Sequence, residues 1–173
     1  MSFLRSPLVQ HLLGILQVVS ACFMAWKGAC LLSGTPYPAV VVITNSMAPA
    51  FDPGDILLVH RHPAHDRRVR VGDLPVILNP DRPFPFIHRV IGVFYDDNQE
   101  EMVLTKGDNN ELNDSVGMMY PGGQEYISRR EIAGFVRGYV PLLGWVVIFL
   151  QDPIRTMERL LSSDDELGPN NFI

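Results

Sequence analysis

Apolar positions run almost without a break from Leu8 to Leu32 and are densest between Leu12 and Trp26. As a helix the longer run extends about 37 Å and the dense stretch about 22 Å, so a bilayer crossing is within reach. Gln10, His11, Gln17 and Lys27 interrupt the run; Lys27 lies near its far end, where its long stem lets the charge reach an interface. A cleaved secretory signal is the alternative, since the dense stretch is short and carries the small residues Ala21 and Ala25. The expectation is one spanning helix. Arg5 and the amino terminus favour a cytosolic start, which puts everything after residue 34 on the opposite side.

Beyond a short linker at Thr35–Pro38 the pattern changes to short β-branched runs separated by turn residues. Ala39–Ile43, Ile56–His60, Phe86–Tyr95, Met102–Thr105 and Ile132–Val140 predict strands, and so does Val69–Leu78, interrupted by Gly72 and Pro75. Ser46–Gly54 holds two prolines and a glycine and predicts a turn, while Gly107–Tyr120, rich in Asp, Asn and Gly, predicts an irregular loop. The fold class is therefore mainly β: one N-terminal transmembrane helix followed by a β domain. Tyr139–Leu150 is strongly apolar but spans only 12 residues, which fits an interfacial, re-entrant or core segment better than a crossing. Past Pro153 the chain reads as a polar helix and then an acidic, solvated tail. The expected division is 1–34 for the cytosolic end and anchor, 35–152 for the extramembrane domain with its short apolar C-terminal segment, and 153–173 for the tail.

Composition narrows the function classes. Across 173 residues, 47% are hydrophobic and 19% charged, which excludes a disordered or low-complexity chain. Fourteen bases against nineteen acids leave a net charge of −5, so no nucleic-acid partner is expected. Residues 1–34 carry Arg5 and Lys27 and no acid, whereas the rest is acidic, consistent with two different surroundings. Cys22 and Cys30 both fall in the apolar run, about 12 Å apart along a helix and too far for one disulfide.

Ser46 directly follows a predicted strand and precedes Met47-Ala48-Pro49, a junction that can expose and fix a nucleophile, although most such serines only bond the local backbone. A nucleophilic serine needs a base, and arginine, always protonated, cannot serve. Lys106 is the only lysine outside the apolar run. His60, His62 and His65 crowd together, but Arg67, Arg68 and Arg70 follow and repel a cation, so a solvated loop is expected there and no metal. His88 differs, lying within the apolar strand Phe86-Ile87-His88-Arg89-Val90-Ile91, where it reads either as a base or as a satisfied structural histidine. Asp108 and Asp114, in the Asp- and Asn-rich loop, are the acidic candidates, against the plain reading of a turn held by its own side chains.

Taken in order, Thr44-Asn45-Ser46-Met47-Ala48-Pro49-Ala50-Phe51, Gly54-Asp55, Ile87-His88-Arg89-Val90 and Leu104-Thr105-Lys106-Gly107-Asp108-Asn109-Asn110 closely resemble the catalytic subunits of the eukaryotic signal peptidase complex. The likeness runs from about Trp26-Lys27-Gly28 to Asp152 and includes Gly138-Tyr139-Val140-Pro141. It implies a single-pass endoplasmic-reticulum protein with a luminal β domain that removes signal peptides from secretory and membrane precursors, alongside other subunits of that complex. It also implies a Ser/His/Asp arrangement in place of the Ser/Lys pair of the bacterial and mitochondrial relatives. Position by position, the nucleophile falls on Ser46, the base on His88 and the orienting acid on Asp114, with Asp108 at a second, supporting acidic position. Two departures stand out. The family usually has Ser-Gly-Ser-Met-Glu-Pro where this chain has Thr44-Asn45-Ser46-Met47-Ala48-Pro49; Thr44 keeps a hydroxyl for an oxyanion, but Asn45 in place of glycine is expected to restrict the turn. The family also commonly ends in a further short apolar segment, where this chain continues as Arg155-Thr156-Met157-Glu158-Arg159 and an acidic tail, so ordinary substrate selection is in question.

The reading that follows is a serine endopeptidase cleaving after small residues, its substrate extended along Val40–Thr44, with no metal or cofactor required. The alternatives are a non-catalytic or diverged scaffold subunit of the same complex, and a Ser/Lys peptidase using Lys106.

Overall fold

The computed structural model describes residues 7–61, 68–80, 84–117 and 119–151. The readings made above for His62, His65 and the 153–173 tail lie outside these residues.

The apolar run forms one helix, α1 (Pro7–Ser33), with no residue buried against the rest of the chain and with a length and composition sufficient to cross a membrane. An apolar helix that none of the described residues buries is suited to another apolar medium around it. Its end is tied to the domain where the Arg61 amide donates to the Ser33 carbonyl at 2.7 Å. Gly34, at φ +67°, turns the chain there, and a Cβ would lie 2.9 Å from the Arg61 carbonyl oxygen.

The rest is mainly β. In chain order the strands are β1 (Ala39–Val41), β2 (Ile56–His60), β3 (Pro75–Ile77), β4 (Phe86–Ile87), β5 (Arg89–Tyr95), β6 (Glu101–Lys106), β7 (Ile127–Ser128) and β8 (Ile132–Val140), with a short helix α2 (Gly144–Gln151) after them. They make a five-stranded sheet, β1-β2-β8-β3-β4, and a three-stranded sheet, β5-β6-β7; the pairings are antiparallel. The strand expected over Val69–Leu78 is shorter than its composition implied. Gly72, at φ +93°, and the hydrogen bonds joining Arg70 and Asp73 make a turn, so pairing begins only at Pro75. The strand expected over Phe86–Tyr95 is two strands, broken at His88, and the chain changes sheets at that one residue. β7 escaped the sequence reading because two residues carry no period.

The first part of β8, Ile132–Val136, is buried on both faces, which explains its unbroken apolar run. Ile132 and Phe135 enter a core with Ile77, Val90, Val103, Tyr120 and Ile127 between the sheets. Ala133 and Val136 enter a second core with Met47, Phe51, Leu57, Val59 and Val76 on the opposite face. A strand buried on both faces loses the polar alternation of a half-exposed one. The ambiguous Tyr139–Leu150 stretch resolves into the end of β8, a turn with Leu142 at φ +61°, and α2. The turn is held by Asp55, whose carboxylate accepts from the Leu142 amide at 3.0 Å, and the Trp145 indole lies against Gly54, where any Cβ would meet it at 2.2 Å.

Candidate active site

The Ser46 turn is shaped by what it buries. Met47 and Phe51 drop into the second core, each worth about 1.5–3 kcal/mol of burial, and the Ala50 and Phe51 amides both donate to the Met47 carbonyl. With its neighbours inside, Ser46 is left half-buried at the rim. Its carbonyl is pinned from the other side by the Asn109 amide at 2.9 Å. Gly107 permits that approach, since a Cβ there would stand 2.7 Å from the Ser46 carbonyl oxygen. Asn45 does not carry the restriction its side chain led us to expect: among the described non-glycine residues, left-handed φ values occur at Gln99 and Leu142, so the turn at Asn45 uses a conformation open to any residue.

His88 occupies the break between β4 and β5 and is 2% exposed. Its Nε2 lies 3.2 Å from Ser46 Oγ, and its Nδ1 lies 2.8 Å from both carboxylate oxygens of Asp114. The Phe86 ring stands edge-on to the imidazole, with centroids 5.5 Å apart. Asp114, 1% exposed, is brought there by its loop folding back on β6: its amide donates to the Thr105 carbonyl at 3.0 Å, and its own carbonyl accepts from Met119 at 2.9 Å. Thr105 Oγ1 donates to Asp114 Oδ2 at 2.5 Å and lies 3.0 Å from the Tyr120 hydroxyl, which also accepts from the Thr105 amide at 2.7 Å. Burial holds the Tyr120 phenol above its ordinary pKa, so it stays protonated at neutral pH.

The candidates thus separate. Ser46, His88 and Asp114 form one hydrogen-bonded series, and Thr44 joins it with its hydroxyl 3.3 Å from Ser46 Oγ. Asp108 does not touch the imidazole. It takes a bidentate pair from Arg89, with Nε at 2.8 Å and Nη2 at 2.6 Å, and so fixes the residue that follows His88. Partly exposed, that pair is worth about 1 kcal/mol or less in stability, so its effect is chiefly geometric. Lys106 follows Thr105 on β6 and so points to the opposite face; the side-chain hydrogen bonds of Ser46 run to His88 and Thr44, none to Lys106. Thr105 and Tyr120 were not singled out from sequence. Thr105 lay inside a quoted motif, but nothing local marks Tyr120, 15 residues further on, as its partner.

The series opens into a cleft of about 420 Å³ lined by Val40–Thr44 on one side and Phe84–His88 on the other, with Leu57, Asn110 and Met119 at its base and rim. β1 and β4 are the two outer strands of their sheet and both line this cleft, so an extended chain entering here meets an apolar trough flanked by two outer strands. Chemically, a hydroxyl beside one imidazole nitrogen, with a carboxylate on the other, is the arrangement by which a serine is activated as a nucleophile.

Over 148 residues the chain is 37% identical to the human signal peptidase complex catalytic subunit SEC11C, covering 86% of this chain and 75% of the relative. It is 37% identical over 164 residues to the sec11 catalytic subunit of Schizosaccharomyces pombe, covering 86% and 85% of the two chains. Against the corresponding subunit of Fusarium vanettenii it is 38% identical over 142 residues, covering 82% and 80%. No family model matches the chain. With identity of this order spread across mammalian and fungal relatives and most of each chain aligned, this protein belongs to the family of signal peptidase complex catalytic subunits.

Proposed function

We propose that this chain is the peptidase of a signal peptidase complex in the endoplasmic reticulum, a serine endopeptidase that removes N-terminal signal peptides after small residues. The observation that carries this is the Ser46–His88–Asp114 hydrogen-bonded series, whose serine and histidine line an apolar cleft. Residues 1–34 are the cytosolic end and anchor, and 35–152 the luminal peptidase domain. Its partners are the precursors it cleaves and the other subunits of the complex.

The steps follow from the geometry. Substrate adds as a strand along Val40–Thr44, with alternate side chains turned into the trough. Ser46 Oγ attacks the carbonyl carbon while Nε2 of His88 takes its proton; the same nitrogen then protonates the leaving amine as the peptide bond breaks. Asp114 holds the ring with Nδ1 protonated and stabilises the imidazolium formed in between. Water repeats the sequence on the acyl-enzyme and frees Ser46. The Ser46 amide and the Thr44 hydroxyl are the donors for the oxyanion, each such donor typically being worth about 2.7–4 kcal/mol. Co-expression with a precursor carrying a cleavable signal tests this directly. The mature product should begin immediately after a small residue; an intact precursor beside an assembled complex would favour the scaffold alternative.

Orientation has its own test. Glu100→Thr creates an Asn-x-Thr acceptor at Asn98, exposed on the turn between β5 and β6. One glycosidase-sensitive mass increment is expected, together with protection of the domain from protease added outside sealed microsomes. The natural acceptor, Asn113, should stay unmodified, because its side-chain oxygen caps the Val116 amide in the loop that carries Asp114. An unglycosylated, protease-sensitive domain would place it on the cytosolic side.

A further inference from the structure

Four buried polar side chains lie in line behind Ser46, and only two of them have a role so far. His88, Asp114, Thr105 and Tyr120 are each 3% exposed or less. The hydrogens in this line can be placed by elimination. An ionised carboxylate only accepts, so the 2.5 Å contact from Thr105 Oγ1 to Asp114 Oδ2 uses the one hydroxyl hydrogen that Thr105 has. The 3.0 Å contact between Thr105 Oγ1 and the Tyr120 hydroxyl must then be donated by Tyr120. The tyrosine oxygen accepts in turn from the Thr105 amide at 2.7 Å, so every group in the line is satisfied in one arrangement only.

We propose that Thr105 and Tyr120 are positioning residues that act through Asp114, fixing its carboxylate so that His88 is held with its proton on Nδ1 and its Nε2 lone pair facing Ser46. The proposal rests on the Ser/His/Asp reading and adds to it. Thr105 holds Asp114 twice, by its carbonyl to the Asp114 amide and by its hydroxyl to the carboxylate. It stands on β6 opposite Val90, two residues beyond His88, so the β5–β6 pairing itself sets the acid against the base. Tyr120 closes the far end of the same loop and polarises the threonine hydroxyl it donates to. Without that hydroxyl the carboxylate keeps the imidazole as a partner but loses the contact that fixes its rotation.

The test compares Thr105→Val, Thr105→Ser and Tyr120→Phe in the full chain, each against wild type and Ser46→Ala. Thr105→Val is expected to lower kcat about ten- to hundred-fold, the range for losing one hydrogen bond to a charged group, with KM unchanged. Thr105→Ser should restore kcat, and Tyr120→Phe should fall between. Nitrogen-15 spectra of histidine-labelled protein in detergent, with the His88 signals assigned through His88→Gln, should show a single Nδ1-protonated tautomer in wild type and Thr105→Ser. Thr105→Val should give a mixture. A Thr105→Val protein with kcat within two-fold of wild type and an unmixed tautomer would overturn the proposal. So would a kcat loss that serine does not rescue. Failure of the underlying reading looks different: cleavage would persist in Ser46→Ala, whatever the spectra of the Thr105 variants.

Discussion

Ser46→Ala is expected to abolish cleavage of a signal-bearing precursor, a loss of about a million-fold, with membrane insertion and complex assembly unchanged. His88→Ala should cost as much, because the hydroxyl and its base act as one unit: 3.2 Å apart, neither does chemistry without the other. The double variant should therefore be no worse than either single one. Lys106→Ala should retain most of its activity, since the Lys106 side chain makes no hydrogen bond to Ser46. Pulse-labelled precursor co-expressed with each variant reads all four outcomes together. An inactive Lys106→Ala beside an active His88→Ala would falsify the histidine assignment and leave a Ser/Lys peptidase.

The second large effect is at Asp114. Both carboxylate oxygens receive hydrogen bonds, from His88 Nδ1 and from the Thr105 hydroxyl. Asn in this place must turn its amide hydrogens toward one of those donors. Turned toward His88, it forces the proton from Nδ1 to Nε2, which can then no longer accept from Ser46. Asp114→Asn is therefore expected to lower kcat by about 10⁴-fold while the protein folds normally. Single-turnover cleavage in proteoliposomes, with thermal melting in detergent as the folding control, measures both. Near-normal cleavage would mean that Asp114 is a structural acid and not the orienting one.

Much of this candidate site is legible in the chain alone. Ser46 stood at a strand end before a proline, His88 was polar in an apolar strand, and the acids clustered in one loop. Each signal is local, and each has a commonplace explanation; the ordered blocks gave the combination its meaning. What stayed hidden is what depends on closure in three dimensions. The role of Thr105 depends on a loop folding back over 9 residues to Asp114, and that of Tyr120 on a reach of 15. The break at His88 was invisible because Phe86–Tyr95 has strand composition throughout, and only its change of partners shows that two strands are there. Asp108 was legible as an acid but not as the partner of Arg89, since 19 residues separate them. The helix α1 was legible almost to its ends, because the length of an apolar run is a property of the chain alone.

The order of strands in the larger sheet also bears on when that sheet can be completed. β8 lies between β2 and β3, yet it is the last strand to be synthesised. Until Ile132–Val140 has emerged, the β1-β2 pair, which flanks the Ser46 turn, and the β3-β4 pair, which leads to His88, are not joined through the sheet. Shorter nascent chains that already hold Ser46, His88 and Asp114 therefore lack the strand that joins these two parts of the sheet. The sheet that frames the cleft is therefore expected to close only with this final strand, late in vectorial synthesis.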